Sequence, residues 1–307
     1  MITPAEDDPR LAGIAGGARQ CIGRYQPLEL RTLTPPDNGP AALNDAAQEA
    51  LRMQPGAVCV CVAAAETARE AVGALVGRGT TVVTIGDRVD VAGVYGHVRV
   101  DWAGGAALLG RQLEQVAGGS RSYLLLHWSS ASQEARDCYL RFMAEARASP
   151  SLTLLDEADV GSGEPPAAQT LRALLARFPY AGVVITLAPS PWLDERPGGM
   201  LGRNTRCATL GAPPPLWRCL SAGEATALVG PIDGALGAAA VELALAGMTQ
   251  SVRAGQVRTV ECELVTAATL EDFATRYAQA AGLDVRGTLE RWAGLQPATD
   301  AVAPGGR

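Results

Sequence analysis

Apolar positions along the chain gather into short, nearly unbroken runs at residues 57–62, 81–85, 97–101, 122–127, 152–155, 182–187, 206–210, 225–230 and 260–266. These runs are β-branched or apolar and mostly lack in–out alternation, the pattern of strands covered on both faces in a parallel sheet. Between them, apolar residues recur at helical spacing. Leu109, Leu113 and Val116 share one helical face, as do Leu171, Leu174, Leu175 and Phe178, and again Leu236, Ala240 and Leu243. Strand and helix alternate, which predicts a doubly wound α/β architecture with helices on both sheet faces.

The punctuation agrees. Gly79 stands where a helix ends ahead of the 81–85 strand, and Pro179 follows Phe178 where a helix must stop. Thr269 and Asp272 resemble a capping box, with Asp in the place of Glu, opening a helix over 270–281. Residues 34–40, 161–166, 189–203 and 212–215 read as loops. The Pro-, Gly- and Ala-rich tail 295–307 lacks periodicity and is expected to be disordered.

Composition narrows the function. The 307 residues correspond to about two domain-sized units, and 48% hydrophobic content is enough for sizeable cores. With 26 basic and 32 acidic residues the net charge is −6, which argues against nucleic acid or an anionic membrane surface as partner. No run approaches the ~18 apolar residues of a membrane-spanning helix. Every basic residue is arginine, so a Walker A loop, a Schiff-base lysine and a Ser-Lys dyad are excluded. His97 and His127 are the only histidines, which removes His-rich metal sites. The cysteines form no CxxC pair, as a zinc ribbon or thioredoxin-type motif requires. Cys59 and Cys61 read as small core residues on one face of a strand, while Cys207 with Cys219 is a candidate disulfide. Asp156-Glu157 and Asp194-Glu195 are adjacent pairs, unsuited to flank a substrate as opposed carboxylates. A Gly-x-Ser-x-Gly elbow and a dinucleotide fingerprint are both missing. The chain therefore reads as a non-enzyme, without catalytic residues, metal or cofactor.

The order of segments resembles the type I periplasmic binding protein superfamily, in particular the sugar-binding solute receptors and the lactose-repressor-like ligand domains. Asp8-Pro9-Arg10-Leu11 resembles the family's Asn-Pro-Phe-Phe turn into its first helix. Thr81-Val-Val-Thr-Ile-Gly-Asp-Arg88 is similar to Pro-Val-Val-Thr-x-Asp-Arg. Asp101 with Gly105, the stretch from Ser132 to Phe142, Gly230-Pro-Ile-Asp-Gly-Ala-Leu-Gly237 and Glu263-Leu-Val-Thr266 resemble later landmarks in the same order. The resemblance spans roughly residues 7 to 282. It implies two Rossmann-like lobes joined by a three-strand hinge, with ligand clamped at the carboxyl ends of the strands. Crossings near Asp101, Pro231 and Val265 would place 1–101 and 232–265 in one lobe, and 102–231 with 266–294 in the other. Only Met1-Ile2-Thr3 stands for the usual first strand, so an upstream segment is expected.

The ligand anchors depart from the family. Arg10 and Leu11 replace two aromatics, Cys138 takes the place of the anchoring arginine, Gly211-Ala212 lacks the usual aspartate, and Pro231 stands where Gln is common. The candidate ligand-binding residues are Arg10, Asp87, Arg88, Trp102, His127, Trp128, Ser132, Arg136 and Trp192. Tryptophan stacks on rings, and arginine holds anions in a bidentate way. The resemblance implies a binding protein for a small polar solute, sugar-like or anionic, handing it to an ABC permease or a sensor kinase. Two alternatives stand beside it: the sensing domain of a lactose-repressor-like regulator lacking its DNA-binding head, and a degenerate docking module. No helix-turn-helix is visible and no membrane insertion is expected. A periplasmic or other extracytoplasmic place follows from the resemblance alone, because the acidic Glu6-Asp7-Asp8 start does not read as a signal peptide; a regulator domain would be cytoplasmic.

Overall fold

In the computed structural model, residues 1–161, 166–202, 205–249 and 254–295 are described. The 295–307 tail, beyond Leu295, lies outside them. The first lobe opens with α1 (Leu11–Ile22) and α2 (Pro40–Arg52), then β1 (Ala57–Val62), α3 (Ala65–Gly77), β2 (Thr81–Gly86) and β3 (Gly96–Val100). The chain then crosses to a second lobe, which runs α4 (Trp102–Arg111), α5 (Leu113–Ala117), β4 (Ser122–His127), α6 (Gln133–Ala146), β5 (Thr153–Asp159), α7 (Ala167–Arg177), β6 (Val183–Thr186), α8 (Ser190–Asp194), α9 (Pro197–Met200), β7 (Arg206–Leu210), α10 (Trp217–Ser221) and β8 (Ala227–Gly230). It returns through α11 (Asp233–Met248) and β9 (Gln256–Val260), and continues through β10 (Glu263–Val265) and α12 (Leu270–Ala281) to a last helical segment, α13 (Val285–Thr288).

The first sheet has the order β1-β2-β3-β9, all parallel. The second has the order β10-β8-β7-β6-β4-β5, parallel except for the antiparallel pair β10/β8. Each sheet carries a hydrophobic cluster on both faces, which is why its strands read as continuous apolar runs. The expected α/β fold of two lobes is thus the observed one.

Four details differ from expectation. The run 260–266 divides at Glu261-Cys262: β9 closes the first sheet and β10 joins the second, so the third crossing lies between them. The short start of the chain does occupy a strand's place, since Ile2 bridges to Val60 on one side and Leu33 on the other and is fully buried. The capping box at Thr269 does not form: its Oγ accepts instead from the Thr266 amide at 2.9 Å, and Asp272 pairs with Arg276. Cys207 and Cys219 are free thiols, not a disulfide; Cys59 and Cys61 are buried in the first core.

The two lobes are stitched at the crossings. The Asp101 amide donates to the Val260 carbonyl at 2.9 Å, tying two crossings together. Its carboxylate caps α4 by accepting from the Gly104 amide at 2.9 Å. Trp102 and Cys262 each pack against a core cluster of both lobes.

Candidate functional site

Three adjoining chambers open between the lobes at the carboxyl ends of the strands, and Trp102 lines all of them. The first, about 130 Å³, lies against the first lobe and contains Asp8, Arg10, Asp87 and, from the opposite lobe, Glu134. The second, about 420 Å³, is bounded by Asp7, Asp8, Arg10 and Asn38 on one side and by Pro189, Leu193 and Pro213 on the other, with Asp233 beside the crossing at Pro231. The third, about 230 Å³, faces the second lobe and holds Trp128, Ser132, Glu134 and Cys138. The 420 Å³ chamber alone falls in the ~300–1,000 Å³ range of small-molecule sites.

The charges are arranged unevenly. Arg10 is held by Asp8 through two side-chain hydrogen bonds, Nε to Oδ1 at 3.1 Å and Nη2 to Oδ2 at 2.8 Å. Burial pushes the Asp8 carboxyl up, but the hydrogen bonds and charge of Arg10 outweigh it, leaving Asp8 below its ordinary value. Asp233 opens α11 and is only 4% exposed. Burial pushes it up to about 7, against the pull of Arg10, with Asp8 pushing further. The Tyr277 hydroxyl faces it, a contact that pulls the carboxyl down. Asp87 is raised by burial and by Glu66, and Glu134 by burial and by Asp87 across the cleft, while Arg99 pulls Glu134 down.

Of the residues singled out in the sequence, the structure brings Arg10, Asp87, Trp102, Trp128 and Ser132 to the chambers. Ser132 is also the cap of α6, its Oγ accepting from the Ala135 amide at 3.1 Å. The other four lie elsewhere. Arg88 and Arg136 are exposed and line none of the three chambers. His127 is buried against Tyr139, ring centroids 4.4 Å apart, and its Nδ1 lies 3.9 Å from Asp159 Oδ1; burial lowers its pKa. Trp192 does not close the cleft but belongs to the core of the second lobe, 2% exposed, with its indole N–H donating to Thr186 Oγ1 at 2.9 Å.

Sequence reasoning missed Asn38, Glu134 and Asp233. Asp233 carried a signal, an acidic residue inside the otherwise apolar run from Gly230 to Gly237. Glu134 had none, because an acid in a helix's first turn is commonplace. The glycine at 211 has a backbone reason. Its φ is +108°, and a Cβ there would lie 2.8 Å from the Pro189 ring, so an anchoring side chain is disfavoured at that position.

Among the described residues there is no group of three or more His, Cys, Asp or Glu placed to hold a metal, and no helix long and apolar enough to cross a membrane.

No family model and no curated protein matches the sequence. Solved structures do match in fold. An ABC transporter solute-binding protein from Agrobacterium vitis, bound with α-D-tagatopyranose, superposes with a TM-score of 0.72 at 15% identity, covering 88% of this chain and 95% of that one. A protein from Bacteroides fragilis described as a LacI transcriptional regulator gives 0.70 at 13% identity, covering 88% and 97%. The Caulobacter myo-inositol binding protein, bound to myo-inositol, gives 0.68 at 15% identity, covering 91% and 95%. The chain has the type I periplasmic binding protein fold.

Proposed function

We propose that this chain is a non-enzymatic receptor that clamps a small polyhydroxylated solute between its two lobes. The observation that carries this reading is the convergence of three chambers on Trp102, at the crossings where the lobes are joined. A half-buried indole there offers a flat apolar face to a sugar-like ring, and the surrounding Asp, Glu, Asn and Arg side chains suit its hydroxyls. Fold neighbours with bound tagatopyranose and inositol support the same ligand class. Ligand that touches both lobes binds the closed form better than the open one, so occupancy becomes a change of shape. An ABC permease or a sensor kinase outside the cytoplasm is the receiver that fits such a switch.

The experiment is a thermal-shift screen against sugars, polyols, amino sugars and sugar acids. A ligand at ~100 times its Kd adds ~2.7 kcal/mol, a rise of several degrees. A flat panel on a cooperatively unfolding protein argues against the receptor. The LacI-type neighbour favours a second reading, the ligand-sensing part of a transcription regulator. Both readings share the cleft and differ in what hears it close.

A further inference from the structure

We propose that the cleft selects a cationic polar ligand, a hydroxylated amine such as an amino sugar, over its neutral or acidic counterparts. This rests on the receptor reading above and adds the ligand's charge. Five carboxyl groups line the two chambers nearest the first lobe, those of Asp7, Asp8, Asp87, Glu134 and Asp233. The lining cation is Arg10, and its guanidinium is taken up by Asp8 in a two-pronged pair. What remains toward a ligand is a surplus of carboxylates. Arg99 tempers Glu134 from outside the chambers.

Asp233 points the same way independently. It is 4% exposed and lines the 420 Å³ chamber, where Arg10, Asp8 and the Tyr277 hydroxyl face it. Its nearby cation, Arg10, is paired with Asp8, so a ligand ammonium would add the counter-charge that a buried carboxylate needs. Asp87 and Glu134 add a geometric argument. They come from opposite lobes and face the same small chamber, so closure brings like charges together. A neutral sugar leaves that repulsion in place and an acidic one increases it. An ammonium between them turns it into two attractions, and the Trp102 and Trp128 indoles accept a cation or a ring face.

The test is isothermal titration of the wild-type protein with matched sets in the glucose, galactose and mannose series: neutral sugar, 2-amino-2-deoxy sugar, its N-acetyl derivative and the uronic acid. The expected result is that in at least one series the amine binds about tenfold or more tightly than its neutral parent, with the N-acetyl and uronic forms weaker still. The preference should narrow in Glu134→Gln and in Asp87→Asn, each shown to unfold cooperatively, and should narrow with added salt. A neutral or acidic sugar binding as well as its amine overturns the charge selection and leaves the receptor standing. An amine preference unchanged in both variants also overturns it. Silence across every series, on folded protein, overturns the proposal together with the receptor reading for these sugars.

Discussion

Asp8 and Arg10 hold each other at the mouth of α1, with the Arg10 backbone amide also donating to Asp8 Oδ1 at 2.8 Å. The pair fixes the turn into the helix and cancels the cation that lines the cleft. Arg10→Gln leaves the Asp8 carboxylate, 11% exposed, without its counter-charge. Because 37% of the Arg10 side chain meets solvent, screening limits the expected loss to about 1–2 kcal/mol in urea unfolding. The sign with pH follows from Asp8, whose pKa is lowered on folding. The pair's contribution is present above the unfolded value of 3.8 and is lost as pH falls through the lower folded one. Wild type and variant should converge in strong acid.

Asp233 gives the opposite sign. Its pKa is raised from 3.8 to about 7, chiefly by burial, with Arg10 and Asp8 from the turn into α1 and Tyr277 from α12 facing it. The folded state holds this proton longer than the unfolded chain. Stability from this group is therefore full below about 3.8, declines as pH rises to about 7, and is level above. Asp233→Asn removes the dependence. Its melting temperature should exceed that of wild type above pH 7, by ~2–4 °C for each kcal/mol released, and the gap should close toward pH 4. In the ligand-bound protein an ammonium favours the ionised carboxylate, so amine affinity should rise from about pH 5 to about pH 7, below the range in which the amine itself loses its proton.

Trp192 and Trp102 separate core from cleft. Trp192→Ala opens a cavity beneath α8 and removes the indole donor to the Thr186 oxygen, and should cost about 3–5 kcal/mol in chemical denaturation. Trp102→Ala, at a half-buried position, should cost about 1–3 kcal/mol and remove ligand-induced thermal shifts.

The helices α1 and α11 approach through glycine. A Cβ on Gly237 would stand 1.9 Å from the Ile14 carbonyl oxygen, and one on Gly17 would stand 2.0 Å from that of Gly234. Backbone atoms cannot step aside as a side chain can. Gly237→Ala should lower stability by about 1–3 kcal/mol or more. Gly73→Ala in α3, where an added Cβ meets nothing within 4 Å, should raise it by about 0.5–1 kcal/mol. Paired melting curves of the two variants check the contrast.

The fold was legible because its strands are covered on both faces and so spell themselves as apolar runs. Legibility failed where a residue's role depends on a distant partner. Ile2 looks like the end of a stub, and only its bridges to Leu33 and Val60 seat it beside β1. Residues 260–266 form one apolar run, and only the pairing of β9 with β3 and of β10 with β8 splits it. Trp192 after a proline resembles a loop residue, until Thr186 offers its indole a buried acceptor. Of the cleft, Arg10, Asp87, Trp102, Trp128 and Ser132 stood at strand or helix ends and were visible there. Glu134 enters only through the approach of the opposite lobe, which no local pattern records.

The central claim, that the space around Trp102 receives a small polar ligand, is met most directly by isothermal titration of sugars, polyols and amino sugars into wild type and Trp102→Ala. The expected result is one saturable site for at least one compound in wild type, weakened about tenfold or more in a Trp102→Ala protein that still unfolds cooperatively. Heat from no compound, or equal affinity in the two proteins, would contradict it.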